Sequence, residues 1–313
     1  PAGIPVHPTA RYHRNTVIKI LQDLRPGAYL SLAHRLDRET SGVLVLAKTP
    51  AADRAIKQTF QERGDIEKTY TALCWGRAPA PAFRVDLPLE LDPTSRTRVK
   101  MRVAAPDQGL PCSTSFQVED EREREGTCYT KIRCNLETGR QHQIRVHLRS
   151  VGLPIVGDKL YAFDEGYFTR DVDGEATDED RARLELPRHA LHATRLALVH
   201  PITGKVLEVV APLPEDLATF WAGLSMGKQG LETAGDFFQI DALQSEPDEG
   251  APVGFGQTTS LELFYHLVEA SEILGVHGDA NDTVVLRLGS GTPGRACPGG
   301  RRLLGSRSVE SAA

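Results

Sequence analysis

Residues 34–42, HRLDRETSG, run directly into the apolar segment 43–47, VLVLA, and this junction decides how the chain is read. Asp37 stands between Arg35 and Arg38. Cationic neighbours lower a carboxylate pKa, so Asp37 is expected to be ionised. An ionised carboxylate serves as nucleophile, base, metal ligand or salt-bridge partner, and in an arbitrary Arg-x-Asp-Arg its ordinary role is a structural ion pair. The apolar run at 42–47 reads as a buried strand, which puts Asp37 in a loop that leads into a sheet.

Asn15 is placed to cap a helix at 16–24, with Val17, Ile20, Leu21 and Leu24 on one face and Pro26-Gly27 after it. Thr49-Pro50 starts a second helix carrying Ala52, Ile56 and Phe60, stopped by Gly64. Strands are expected at 67–75, 83–89, 98–103, 112–119, 127–136, 193–199 and 205–210. Thr138 followed by Gln141 fits a capping box for a helix at 140–151, with Ile144, Leu148 and Val151 as its buried stripe. A helix at 214–224 turns Leu217, Phe220, Trp221 and Leu224 inward. Many strands, short turns and few helices indicate an α+β domain on an antiparallel or mixed sheet.

With 313 residues the chain is long enough for one large domain or two ordinary ones. No apolar run approaches the roughly 20 residues of a membrane span. No signal peptide is visible, so the expectation is a cytoplasmic protein. The five cysteines have no C-x-x-C spacing, which argues against a zinc site or a disulfide framework. His189 and His192 lack a nearby carboxylate or thiol and read as structural or as part of a binding face rather than as metal ligands.

HRLDRETSG resembles the catalytic loop of the RluA-type pseudouridine synthases, which isomerise uridine in RNA. Three more segments resemble that family in the same order: PAGIPVHP at 1–8, EKTYTA at 67–72 and GRQHQIRVHLRSVGLPIVGDKLY at 139–161. A weaker resemblance, RHALHATRLALVHPITGKVLEVVAPLPEDL at 188–217, extends the likeness to about residue 225. The resemblance implies a long, mostly antiparallel mixed sheet with flanking helices and a central active-site cleft. It divides the chain into a catalytic domain at 1–228 and an unassigned extension at 229–313. The family's lysine before the first motif does not precede Pro1, so the reading is that a first strand and any small N-terminal RNA-binding domain are missing.

Making pseudouridine breaks the glycosidic bond, turns the base and rejoins it through carbon, without redox change. No cofactor and no metal are expected. The resemblance gives the working carboxylate to Asp37, pairs Arg145 with it through a guanidinium fork, and makes Tyr70 the aromatic partner of the uracil or the acid or base for its displaced ring proton. A flipped nucleotide must be held out of its stack, and Arg35 is placed to do this. His34, Arg38, Arg140 and His142 are the other candidate RNA contacts. The expected partner is structured RNA, ribosomal RNA first and transfer RNA second, bound by a monomer.

The overall charge of −5 argues against an RNA partner until it is divided. Residues 1–228 carry +2 and residues 229–313 carry −7. Within the first part, the insert-like stretch 164–185 carries −6, and the rest is +8. Within the extension, 259–274 reads as a helix, 283–288 as a strand, and the last 25 residues as disordered. The extension reads either as an added regulatory or partner-binding piece or as sequence without a function, and the second reading is preferred. Two other readings stand beside this one: an inactive RNA-binding or RNA-folding protein on the same fold, and a carboxylate-based glycosidase. The latter needs a second carboxylate flanking the bond, for which Glu39 offers no geometric support.

Overall fold

The computed structural model describes residues 2–8, 14–62, 66–105, 107–226 and 283–288. The expected helix at 259–274, the helix stop at Gly64 and the disordered C-terminus lie outside these residues.

The junction that follows Asp37 forms the most buried strand of the fold. After the short β1 (Ser31–Leu32), β2 (Ser41–Ala47) is buried along its whole length. Side chains on a strand alternate between faces. Leu44 and Leu46 accordingly enter one core cluster, while Val43, Val45 and Ala47 enter another. Each such aliphatic side chain contributes about 1.5–3 kcal/mol on burial. The second cluster is closed by α2 (Pro50–Glu62) through Ala52 and Ile56. The first is covered partly by α1 (Val17–Leu24), whose cap is Thr16 rather than Asn15: the Thr16 hydroxyl accepts the Lys19 amide at 3.4 Å.

Three long strands carry the sheet. They are β3 (Ile66–Trp75), β7 (Thr114–Arg124) and β8 (Thr127–Leu136). β7 and β8 form a hairpin over Glu125-Gly126, both with positive φ, as a tight two-residue turn demands. β4 (Ala82–Val85) is shorter than the expected 83–89 strand, because Val85 already pairs with Thr114, the first residue of its partner β7. The chain resumes as β5 (Leu89–Leu91), which pairs with β6 (Met101–Val103) in a separate two-stranded ribbon. β9 (Leu191–Val199) and β10 (Val206–Val210) make a second hairpin, and β11 (Ser225–Met226) follows α6 (Glu215–Ala222). The main sheet has ten strands with the path β1-β2-β9-β3-β8-β7-β11; β10, β4 and β12 (Thr283–Leu288) pair beside β9, β7 and β2. The expected strand at 283–288 therefore exists and lies antiparallel to β2.

One pair in this sheet is parallel, β2 with β9 at Ser41↔His192 and Gly42↔Ala193. It explains the glycine that ends HRLDRETSG. Gly42 has φ +114°, and a Cβ there would lie 2.2 Å from the Ala193 carbonyl oxygen. Only glycine lets the loop bearing Asp37 enter the sheet so closely.

The acidic stretch 164–185 is not a loose insert. It forms α4 (Gly166–Asp173) and α5 (Asp178–Leu184), the latter closed by a capping box between Thr177 and Asp180. Much of its charge is spent internally or on neighbours, including Arg170–Asp180 at 2.6 Å and Glu165 against Ser95 at 2.6 Å.

Candidate active site

The loop 34–40 is clamped from its outer side. Lys159 donates to Glu39 at 2.5 Å and to the Pro187 carbonyl at 2.7 Å. Arg188 donates to the Glu39 carbonyl at 3.1 Å, and His189 and His192 bond the hydroxyls of Thr40 and Ser41 at 2.8 and 2.9 Å. Asp171 of α4 lies 3.2 Å from Lys159 and 3.8 Å from Arg38. These bonds leave the Asp37 side chain 29 % exposed, facing a cleft of about 1360 Å³. That space exceeds an ordinary small-molecule pocket of roughly 300–1,000 Å³.

Arg145 reaches Asp37 from α3 (Gln143–Ser150), Nη1 donating to Oδ2 at 3.0 Å. Its other two donors grip Asp158, Nε to Oδ2 at 2.7 Å and Nη2 to Oδ1 at 2.8 Å. Asp158 is fully buried, and its Oδ1 also accepts the amides of Leu160 and Tyr161 at 3.0 and 3.1 Å. Gly157, φ +76°, approaches the Arg188 carbonyl so closely that a Cβ would lie 2.1 Å from it, and this turn aims Asp158 at α3. The guanidinium also packs on the Tyr161 ring, 4.8 Å from its centroid.

Burial opposes ionisation of Asp37, but His142, Arg145 and His189 outweigh it and hold its pKa below the ordinary value. Both histidines are themselves neutral at neutral pH, so Arg145 is the lasting cation. Burial likewise opposes the Asp158 charge, and Arg145 more than offsets it. Tyr70 is buried on β3, opposite Cys134, where β3 shifts register against β9 between Thr69 and Tyr70. Such irregularities re-aim a side chain. Burial, and then the Asp37 charge, push the Tyr70 phenol above its usual range. It therefore stays protonated while facing the same cleft.

Asp37, Tyr70 and Arg145 thus meet in one cleft, with His34, Arg35, Arg140 and His142 also in its lining. His34 is occupied by the fold: its Nε2 accepts the Val45 amide at 3.1 Å and its ring stacks on Phe60 at 5.2 Å. Arg38 is outside the lining, beside Glu39 and Asp171. Arg140 has a buried Nε with no protein partner among the described residues. The expected capping box fails, because Gln143 takes both the Thr138 hydroxyl and the Arg140 amide and the helix starts only at Gln143. Asp158 and Tyr161 lie within the GDKLY string but receive no role from sequence reasoning. Their contacts depend on a loop returning to α3, and local spacing carries no such signal. No group of three or more His, Cys, Asp or Glu among the described residues is arranged to hold a metal, and no helix among them is long and apolar enough to cross a membrane.

Burial, the leading cause in each case, lowers the pKa of His34, His142 and His192 to about 4 from an ordinary 6.5, and holds that of His189 well below its ordinary value. The unfolded chain then binds protons that the folded one refuses, so stability declines as pH falls from 6.5 toward 4. Urea midpoints measured from about pH 7.5 down to 4.5 are expected to drop across that window. A flat profile would contradict the neutral, buried histidines.

The fold is that of pseudouridylate synthase domains. The human RNA Pseudouridylate Synthase Domain Containing 1 aligns with TM-score 0.55 and 28 % identity, covering 69 % of this chain and 82 % of that one. Residues 1–150 match the family described as RNA pseudouridylate synthase. An uncharacterized RNA pseudouridine synthase of Chloroflexus aurantiacus is 38 % identical over 227 residues, 69 % of this chain and 62 % of its own length. Ribosomal large subunit pseudouridine synthase D of Nitrosomonas europaea is 36 % identical over 222 residues, 70 % and 59 % of the two lengths. Ribosomal large subunit pseudouridine synthase C of Escherichia coli is 38 % identical over 218 residues, 69 % and 63 %. The chain belongs to the RNA pseudouridine synthase family, and it spans about six-tenths of the length of these curated relatives.

Proposed function

We propose that this chain isomerises uridine to pseudouridine in ribosomal RNA, with Asp37 as the working carboxylate. The observation that carries the reading is an ionised, cleft-facing Asp37 fixed at one oxygen by Arg145, with protonated Tyr70 in the same lining. In the reaction the bond from ribose C1′ to uracil N1 breaks and a bond from C1′ to C5 forms. The proton leaves C5, and N1 ends protonated. Arg145 keeps the carboxylate charged and directed, and Tyr70 packs against the uracil. Arg35 and Arg140 are the side chains best placed to meet phosphate or fill the gap left by a flipped nucleotide. Arg38 acts indirectly, through the loop clamp, and His34 as a wall of the cleft. All three central residues come from one chain, so a monomer suffices, working in the cytoplasm where ribosomal RNA is processed.

The test is tritium release from RNA labelled at uracil C5, together with pseudouridine mapping of total RNA from cells with and without the gene. Loss of one or a few pseudouridines from ribosomal RNA on deletion is the expected result. Loss confined to transfer RNA would move the substrate assignment. No lost site and no tritium release would refute the activity.

A further inference from the structure

His142 occupies an unusual position. It precedes the first turn of α3 with φ 55° and ψ 15°, the left-handed region that side chains other than glycine enter at a cost of about 1–3 kcal/mol. That conformation serves no capping purpose, since its side chain makes no cap hydrogen bond. Instead it directs the imidazole between Tyr161 and Asp37.

The hydrogen bonds around the ring bias where its proton lies. The Tyr161 hydroxyl oxygen accepts the Met101 amide at 2.8 Å. The same hydroxyl lies 2.7 Å from His142 Nδ1. Tyr161 is only 5 % exposed, and Nδ1 is the acceptor in line for its single proton. With the Met101 amide already on the Tyr161 oxygen, this arrangement favours Nδ1 as acceptor and the imidazole hydrogen on Nε2. Burial and then Arg145 lower the ring's pKa to about 4, so the ring is neutral at neutral pH and holds this one N–H. Nε2 lies 3.9 Å from Asp37 Oδ2, beyond hydrogen-bond reach, and that oxygen already accepts Arg145 at 3.0 Å. The N–H is thus unspent on Asp37, yet it sits beside the carboxylate, and the side chain is 11 % exposed in the cleft lining.

We propose that His142 is a further catalytic residue, whose Nε2–H donates a hydrogen bond to a uracil oxygen of the target nucleotide at Asp37. The inference rests on the pseudouridine synthase reading. As the glycosidic bond loosens, negative charge gathers on the uracil oxygens, and a fixed neutral donor stabilises it without giving up its proton. Tyr161 is the positioning residue that holds this tautomer, while its ring packs under Arg145.

The test uses the full chain in two arms. In the first, nitrogen-15 NMR of histidine-labelled protein at neutral pH, with the His142 signals assigned by their loss in His142→Gln, is expected to show a protonated Nε2 and a bare Nδ1. A proton on Nδ1, or a doubly protonated ring, would overturn the proposal. In the second, single-turnover tritium release and RNA affinity are compared for the parent, His142→Phe and His142→Gln. Phenylalanine keeps a ring but no donor, and is expected to slow the chemical step by about a hundred- to a thousandfold, with RNA affinity within a few-fold of the parent. Glutamine reaches the Nε2 position with an amide N–H and is expected to regain at least about tenfold of that loss. Equal rates in the phenylalanine variant and the parent, or equally slow phenylalanine and glutamine variants with unchanged melting, would overturn the role. A parent that turns over no RNA at all would instead remove the underlying activity, which separates the two failures.

Discussion

Asp37→Asn is expected to lower pseudouridine formation at least about ten-thousandfold while leaving the melting temperature within about 3 °C of the parent. The two halves of this result have separate causes. An amide of the same shape has no ionised form, so it cannot act as nucleophile or base at the sugar or the ring. Its carbonyl still accepts the Arg145 Nη1–H, and Arg145 remains held by both Asp158 oxygens, so the surrounding packing has no reason to move. The loop also keeps its clamps at Glu39, Thr40 and Ser41. Single-turnover tritium release with saturating RNA, alongside calorimetry, measures both. In cells, the variant is expected to restore none of the pseudouridines lost on deletion. Restoration would remove Asp37 from the chemistry.

Asp158→Asn is expected to damage both stability and rate. The parent buries Arg145 against a fully buried carboxylate, with two charge-assisted hydrogen bonds. Removing one partner of such a buried pair costs about 3–5 kcal/mol, because the remaining charge loses its compensation. For a domain of this size the corresponding fall in melting temperature is roughly 6–20 °C. The new amide keeps one acceptor and sets an NH2 against the other guanidinium donor, which loosens Arg145 and lets it shift toward Asp37, the carboxylate still bonded to it. A displacement on the scale of 1 Å at a reacting centre costs about a hundredfold in rate. The single-turnover rate of the folded fraction is expected to fall by about that factor. A variant that melts and turns over like the parent would show that Asp158 neither supports nor orients Arg145.

What the sequence made legible was the part of the site written as contiguous strings. Asp37, Tyr70 and Arg145 belong to separate motifs, and all three reach one cleft. The buried run VLVLA likewise announced β2, because strand periodicity and apolar content agree there. Legibility failed where a residue's partner is supplied by the fold. Asp158 is silent in sequence because its role depends on Gly157 bringing the loop back to α3. Thr138 and Gln141 look like a capping box, yet Gln143 takes the Thr138 hydroxyl, and the helix begins after a left-handed His142. Charge counting read 164–185 as an acidic liability, whereas Asp171 and Glu165 are engaged with Lys159, Arg38, Ser95 and Lys100. Composition cannot tell a solvated acid from a paired one. The strand at 283–288 shows that the extension is not wholly separate from the sheet that carries the site.

The arrangement of Arg145 between two carboxylates sets the charge at the base of the cleft. One cation shared by Asp37 and Asp158 leaves a net negative charge at the base of the cleft. A phosphate is repelled from that point, whereas uracil and ribose, which carry no charge, meet no such barrier. The cations able to greet a phosphate, Arg35, Arg133, Arg140 and Arg195 among them, are other members of the lining. Two of these already have acidic companions, Arg133 with Glu119 and Arg195 with Glu67, so their pull is tempered. For the RNA proposed as substrate, this charge pattern favours a neutral base at the bottom of the cleft and disfavours a phosphate there.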